Sequence, residues 1–389
     1  MDLSLNIEPA PAYSVLILIS TKAVGGPGKG IIQILPELKR GRVVDPELLT
    51  FHRHGNKESV FVAACREHGV EVSSLAQAFN YDPSPLLPLL RRVRHGHTII
   101  QTHGYKENVF GFIVKMLTGC PWVAFMHGTT DENLKVRMYH GLDRKVVRFA
   151  DRIVCVSKEL ARRSMPARLY RKVRIVPNAI EQRSSYEINR PIVMCWKRRQ
   201  HLSRWPVITC VGRLSPEKGH HVLLDAAREL AHSGDNFHLV IAGDGPERVS
   251  LERQSDRLGL RDRVRFLGQR RDMDMIYAAS DIMVLPSFKE GMPNVILEAM
   301  AHGLAIVATC VGGVPEMVRD GTEALLVRPN DVGELRRALE RLVRSPALVR
   351  ALACSARKSL FPRFSVAERV GRIERIYGEL AEEAGWLRY

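Results

Sequence analysis

Apolar runs of three to five residues recur along the chain, and between them lie segments whose apolar positions return at helical spacing. In the first half the runs are Val15–Ile19, Thr98–Ile100, Trp122–Phe125, Ile153–Val156 and Val173–Val176. The pattern restarts after residue 205 with Val207–Val211, Leu239–Ala242, Val264–Leu267, Ile282–Leu285, Ala305–Val307 and Ala324–Val327. Runs that are apolar at every position suit strands buried on both faces, and their alternation with helices makes the sheets parallel. Two such series predict an α/β chain of two Rossmann-like, doubly wound domains. The expected divisions are a first domain over 1–180, a basic linker or insertion over 181–205, and a second domain over 206–364. A helical segment over 365–389 follows, with no strand after it, and is expected to pack back on the first domain. The linker reading rests on Ser184-Ser185, Pro191 and six basic residues that interrupt the periodicity.

Ligands of open parallel sheets bind beyond the carboxyl ends of the strands, so the segments after each run are the ones to search. The first is Val24-Gly25-Gly26-Pro27-Gly28-Lys29-Gly30, which opens a helix. Its glycines let backbone amides approach a phosphate, and a tight structural turn explains them equally well. Ala23 and Gly30 break the pattern of a Walker loop. Arg213 and Lys218 follow the first strand of the second series, five residues apart, and two cations there can hold two phosphate groups. The alternative is a surface ion pair to Glu217. His103 and His127 each close a strand of the first series, where a histidine can bond a substrate hydroxyl or serve the structure alone. Asp244 reads as part of a plain turn. Asp272-Met273-Asp274 reads as a helix start that supplies N-terminal caps, and not as a metal site.

The sharpest pattern is Glu290-Gly-Met-Pro-Asn-Val-Ile-Leu-Glu298. Pro293 suits the first turn of a helix and Gly303 its end. Between them Glu298 is the only charge among residues that are apolar in every direction, which marks a buried helix. A carboxylate in that setting needs a hydrogen-bond partner. Either a ligand supplies it beside the anion-attracting helix start, or a buried arginine does.

Charge narrows the partners. The 389 residues carry a formal net charge of +16, with 28 Lys/Arg against 17 Asp/Glu in residues 1–190. From Arg144 to Arg174 only Asp151 and Glu159 oppose a dense basic stretch. Such a field draws anionic membranes, nucleic acid or phosphorylated substrates, and no recognised nucleic-acid motif accompanies it. Seven dispersed cysteines without a Cys-x-x-Cys pair suit reduced thiols and a cytoplasmic protein. No apolar run approaches the roughly 18–20 residues that span a bilayer, so any membrane contact is expected to be peripheral, on the inner face of the plasma membrane.

Together, VGRLSPEKG, LVIAGDGPER, the stretch from Ser280 through Glu290 and Glu298 to Gly303, and ATCVGGVPEMVRDG resemble the retaining glycosyltransferases known as glycosyl transferases group 1. In the first domain GGPGKG, QTHGYKENVF, MHG, VCVSKEL and VPNAI are similar to the exopolysaccharide and lipopolysaccharide enzymes of that family. Ala179, where glycine is common, and the insertion over 181–205 depart from the pattern. The resemblance implies the GT-B fold, with two Rossmann-like domains facing across a cleft. The first domain would bind the acceptor, a glycan or lipid-linked sugar, and the second the nucleotide sugar, with a UDP-hexose the donor expected. It implies no cofactor and no metal. Arg213 and Lys218 would clamp the donor diphosphate, with Gly25 and Gly26 approaching the same phosphates. Glu298 would take the ribose hydroxyls. Glu290 and the amides of Gly291, Met292 and Asn294 would hold the sugar and phosphate, and His127 would reach the sugar near its reacting carbon. A nucleotide-binding partner subunit without activity, a nucleotide-sugar epimerase and a phosphorylase remain the alternatives on the same fold.

Overall fold

The computed structural model describes residues 13–21, 25–53, 59–79, 82–93, 97–127, 134–182, 188–202 and 205–386, with the backbone alone for 134–140. Val24, Gly128, Ser184 and Ser185 lie outside the described residues. The chain divides into two compact units, one made of residues 1–178 with 366–389 and the other of residues 179–365.

The first unit is built on seven parallel strands: β1 (Tyr13–Ile19), β2 (Val44–Arg53), β3 (Ser73–Gln77), β4 (Thr98–His103), β5 (Trp122–Met126), β6 (Arg152–Cys155) and β7 (Val173–Ile175). Their order is β3-β2-β1-β4-β5-β6-β7. The second holds six, β8 (Val207–Val211), β9 (His238–Ala242), β10 (Val264–Gly268), β11 (Ile282–Leu285), β12 (Ala305–Thr309) and β13 (Leu325–Val327), in the order β10-β9-β8-β11-β12-β13. Both are doubly wound. Strand succession reverses between β1 and β4 in one sheet and between β8 and β11 in the other, and that reversal opens a crevice at the carboxyl edge.

The apolar runs became the central strands because each is covered on both faces. Val15, Ile17, Ile99, Ile100, Val123, Ile282, Val284 and Val307 are all completely buried or nearly so. In the second unit the strands pack against Leu223, Leu224, Ala227 and Leu230 of the helix His220–His232 and against Leu335 and Leu339 of the helix Val332–Arg344.

One segment differs from the pattern reading. Residues 181–205 are not linker throughout: Arg190–Arg199 is a helix with Pro191 in its first turn. Its Trp196 packs on the buried cluster of Leu202, Val207, Val240 and Ile276 in the second unit. The helix Val366–Glu383 belongs to the first unit. Val370, Ile373, Ile376, Tyr377 and Leu380 form its buried stripe. Arg152 of β6 ties it down through Glu379 at 2.9 Å and Glu383 at 2.5 Å.

Candidate active site

In the second unit four loops meet at the carboxyl edge, after β8, β9, β11 and β12, and their backbones lock together. Leu214 N–H donates to Asp244 O at 3.0 Å, Phe288 N–H to Glu217 O at 2.8 Å and Gly313 N–H to Gly291 O at 2.9 Å. Two glycines permit that closeness. Gly219 (φ 65°) lies against the Pro286 carbonyl and Gly312 (φ 54°) against that of Glu290, and a Cβ at either would collide with the oxygen. Thr309, at the end of β12, donates its hydroxyl to Ser287 O at 2.5 Å.

On this framework Lys218 reaches Glu290, Nζ to Oε1 at 2.7 Å, and the same oxygen accepts the Ser287 hydroxyl at 2.7 Å. The Glu290 side chain is 7% exposed and that of Lys218 26%. The cation is thus held by a deeper carboxylate and not by Glu217, which takes the Ser215 hydroxyl at 2.6 Å. Arg213 stands exposed on the same loop. Beneath it all, His220 is buried with neither ring nitrogen hydrogen-bonded, and burial, with Lys218 beside it, pushes it down to about 4.

The Glu290–Glu298 segment is not continuous helix. Glu290 lies in the loop before a bend at Gly291, Pro293 is the N-cap with β-type dihedrals, and the helix is Asn294–His302, closed by Gly303. Its burial is one-sided. Ile296, Leu297, Met300 and Ala301 are buried, whereas Asn294, Val295 and Glu298 form a partly exposed stripe. Glu298 therefore lies along the open face, and its partner is a phenol: Tyr277 donates to Oε2 at 2.6 Å. Met292 is buried, and Asn294 Oδ1 is buried without a partner among the described residues. Asp272 occupies an N-cap position, yet its carboxylate bonds Arg270 at 2.8 and 2.7 Å instead of helix amides. Asp274 bonds His302 at 3.1 Å. The capping role expected of this pair is therefore not realised. No group of three or more His, Cys, Asp or Glu among the described residues is arranged as metal ligands.

In the first unit the glycine turn follows β1. Gly25 is the N-cap of the helix Gly26–Gly41, and both glycines are exposed. Next to them Pro27, with Ser20, His103, Asn108, His127 and Asp143, lines a cavity of about 220 Å³. His103 ends β4 and His127 follows β5. Their rings bond through Nδ1 of His103 and Nε2 of His127 at 2.7 Å and are inclined by 20°. Burial and the Arg369 guanidinium push His127 down to about 3, and burial with the neighbouring His127 and Arg369 holds His103 well below the usual imidazole range. Arg369 is 4% exposed. It bonds Asn178 Oδ1 at 3.1 Å, and its Nε has no partner. Its guanidinium lies where a Cβ on Gly30 would press at 3.2 Å, so that glycine makes room for a cation of this unit. Beside the cavity Thr102, Asn108 and Asp143 form a buried chain: the Thr102 hydroxyl donates to Asn108 at 2.5 Å, and the Asn108 amide to Asp143 at 2.7 Å. Burial lifts Glu107 to about 8.

Sequence reasoning singled out His127, Lys218 and Glu290 one by one, but not the pairing of the last two, nor Gln101, Asn108, Asp143, Tyr277, Arg369 or Tyr377. Tyr277 and Tyr377 fall on apolar helix positions and read as core. Arg369 lies on a helix whose charges otherwise read as a solvated face.

Two doubly wound sheets, with their polar side chains gathered at the carboxyl edges, are the framework of the GT-B glycosyltransferases. Residues 205–345 match the family described as Glycosyl transferases group 1, and residues 24–183 match Glycosyltransferase Family 4. Among relatives, an alpha-D-kanosaminyltransferase of Streptomyces kanamyceticus is 34% identical over 47% of this chain and 48% of its own. The chain thus spans about half the length of that relative. A UDP-Gal:alpha-D-GlcNAc-diphosphoundecaprenol alpha-1,3-galactosyltransferase of Escherichia coli is 28% identical over 75% of this chain and 77% of its own. Anabaena Alr3699/HepE, solved in complex with UDP and glucose, shares the fold with a TM-score of 0.81 at 22% identity, covering 94% of this chain and all of that one.

Proposed function

We propose that the protein transfers a hexose from a UDP-sugar to a glycan or lipid-linked acceptor in envelope polysaccharide assembly, with retention of configuration and without a metal. The observation that carries this reading is the Lys218–Glu290 pair on a rigid four-loop edge beside the Asn294–His302 helix start. Loss of a nucleoside diphosphate leaves growing negative charge, and catalysis lies in preorganised cations and amides that meet it. Arg213 and Lys218 supply the cations and the amides of Gly291, Met292 and Asn294 the dipoles. Gly25 and Gly26 offer exposed backbone to a phosphate. Glu290 Oε1 holds Lys218 in place, leaving Oε2 for a sugar hydroxyl. Glu298, on the open face of its helix, takes the ribose hydroxyls. In the first unit His127 is offered to a sugar hydroxyl. The cited E. coli relative acts on a diphosphoundecaprenol-linked sugar, which supports a lipid-linked acceptor.

No helix among the described residues is long and apolar enough to cross a membrane. Leu142, Phe149 and Tyr170 are exposed beside Arg144, Lys145, Arg148 and Arg171. That surface supports peripheral binding to anionic lipid on the cytoplasmic side.

The test is a screen of radiolabelled nucleotide sugars for hydrolysis or transfer, with membrane extract as acceptor. UDP-sugars are expected to turn over, with a chelator present or absent, and no turnover of any nucleotide sugar overturns the reading. A strict metal requirement removes its metal-free part.

A further inference from the structure

The first unit contains a directional chain of hydrogen bonds that begins on its last helix and ends at the cavity. Tyr377 is fully buried, and the partner of its hydroxyl is Gln101 Oε1 at 2.5 Å. A buried phenol with one partner must donate to it, since otherwise its own proton is stranded. That fixes the amide of Gln101, itself fully buried, with Oε1 toward the phenol and Nε2 toward His103. The Gln101 amide lies 2.7 Å from His103 Nε2. An amide N–H₂ can only donate, so His103 Nε2 is the bare nitrogen and its proton resides on Nδ1. That proton points at His127 Nε2, 2.7 Å away. The small inclination of the rings places the donor near the plane of the accepting lone pair. His127 Nε2 is then bare as well. Which ring nitrogen of a histidine carries the proton is set by the bond the other one makes, and here three residues set it in turn. A second proton on either ring would put two N–H groups face to face, and the Arg369 guanidinium opposes it further.

We propose that Tyr377, Gln101 and His103 are positioning residues that hold His127 as the neutral tautomer protonated on Nδ1, so that it acts as a hydrogen-bond donor to a substrate oxygen and not as a general base. This deepens the reading of His127 as a sugar contact and rests on it. The helix Val366–Glu383 thereby sets the chemistry of a residue on a loop more than two hundred positions earlier in the chain.

The experiment labels histidine with ¹⁵N and records long-range proton–nitrogen correlations, which distinguish protonated from bare ring nitrogens. In the wild type at neutral pH, His103 and His127 are both expected to be protonated on Nδ1 alone. Tyr377→Phe removes the donor, frees Gln101 to turn, and is expected to yield a mixture of tautomers. With it kcat should fall about tenfold while KM for the donor changes little, because what is lost is a contact made in the transition state. Gln101→Glu replaces the amide donor by a carboxylate and is expected to reverse the chain, moving the proton of both rings to Nε2. Thermal melts check that each variant folds, and a mere packing role predicts no such reversal. A wild-type His127 protonated on Nε2 or on both nitrogens overturns the proposal, and so do folded Tyr377→Phe and Gln101→Glu proteins with unchanged tautomers. The spectra need no substrate. Failure of glycosyl transfer in the wild type would therefore count against the enzymatic reading, separately from the relay.

Discussion

The two sheet edges handle charge in opposite ways. In the second unit Lys218 is half-open and matched by a carboxylate at 2.7 Å, and Glu298 is matched by a phenol at 2.6 Å. In the first unit Arg369 is buried more deeply than Lys218, yet no carboxylate pairs with it among the described residues, and its Nε is unpaired. A paired and accessible cation can turn toward an arriving anion while its partner keeps it in place. A buried and unpaired one acts through its field, adding to the burial that keeps the two imidazoles beside it neutral. The second edge is thus suited to a charged leaving group, and the histidine pocket of the first to uncharged hydroxyls.

The largest effect should come from breaking the paired edge. Lys218→Ala is expected to lower kcat/KM for nucleoside diphosphate release by about 100-fold or more, the usual scale for losing a transition-state charge contact. Steady-state release of UDP measures it, and a loss of less than about threefold would leave the contrast between the edges without a catalytic meaning. A smaller effect tests the neutral edge. Glu107 is raised by burial to about 8, so its protonated form is favoured in the folded chain. The folded-state value is the higher one, so its stabilisation is complete below the unfolded value near 4.5 and is lost as pH rises toward 8. His127 and His220 run the other way. Their lowered values cost stability only as pH falls below about 6.5, the ordinary imidazole value. Between about pH 6.5 and 8 the Glu107 contribution stands alone among these three and lowers wild-type stability by about 2 kcal/mol, offset in small part by the neighbouring Lys106, which burial lowers to about 8. Glu107→Gln should flatten that slope, as read from urea midpoints at the two pH values. The smallest effect is expected at Arg369. Arg369→Met should change stability by less than about 1 kcal/mol, in either direction, because removing an unpaired buried charge also removes its desolvation cost. Thermal melting checks it, and a loss of several kcal/mol would mean that the guanidinium is structurally paired after all.

Much of the fold was legible because buried parallel strands write themselves as unbroken apolar runs. Two strands were not seen. β2 carries Asp45, Pro46 and Glu47 within it, and β3, Ser-Ser-Leu-Ala-Gln, is a polar edge strand with one buried apolar residue. Both lie toward the outer side of the sheet, where one face or edge is wet and the apolar signal fades. The helix Arg190–Arg199 was hidden by its basic residues, since Val193 is its one buried residue and Trp196 packs on the second unit's core.

The chain by itself determined the alternation of strands and helices, the restart after residue 205, and the places where Arg213, Lys218, Glu290, Glu298 and His127 leave their strands or enter a helix. These follow from local periodicity and from residue types that only certain turns accept. Tertiary structure alone decided that Lys218 pairs with Glu290, that Tyr277 meets Glu298, and that Tyr377 and Arg369 come back to the histidines after more than two hundred residues. Such partners are chosen by burial, since a polar atom removed from water must find its complement wherever the packed chain brings one within reach, and no local pattern encodes that distance.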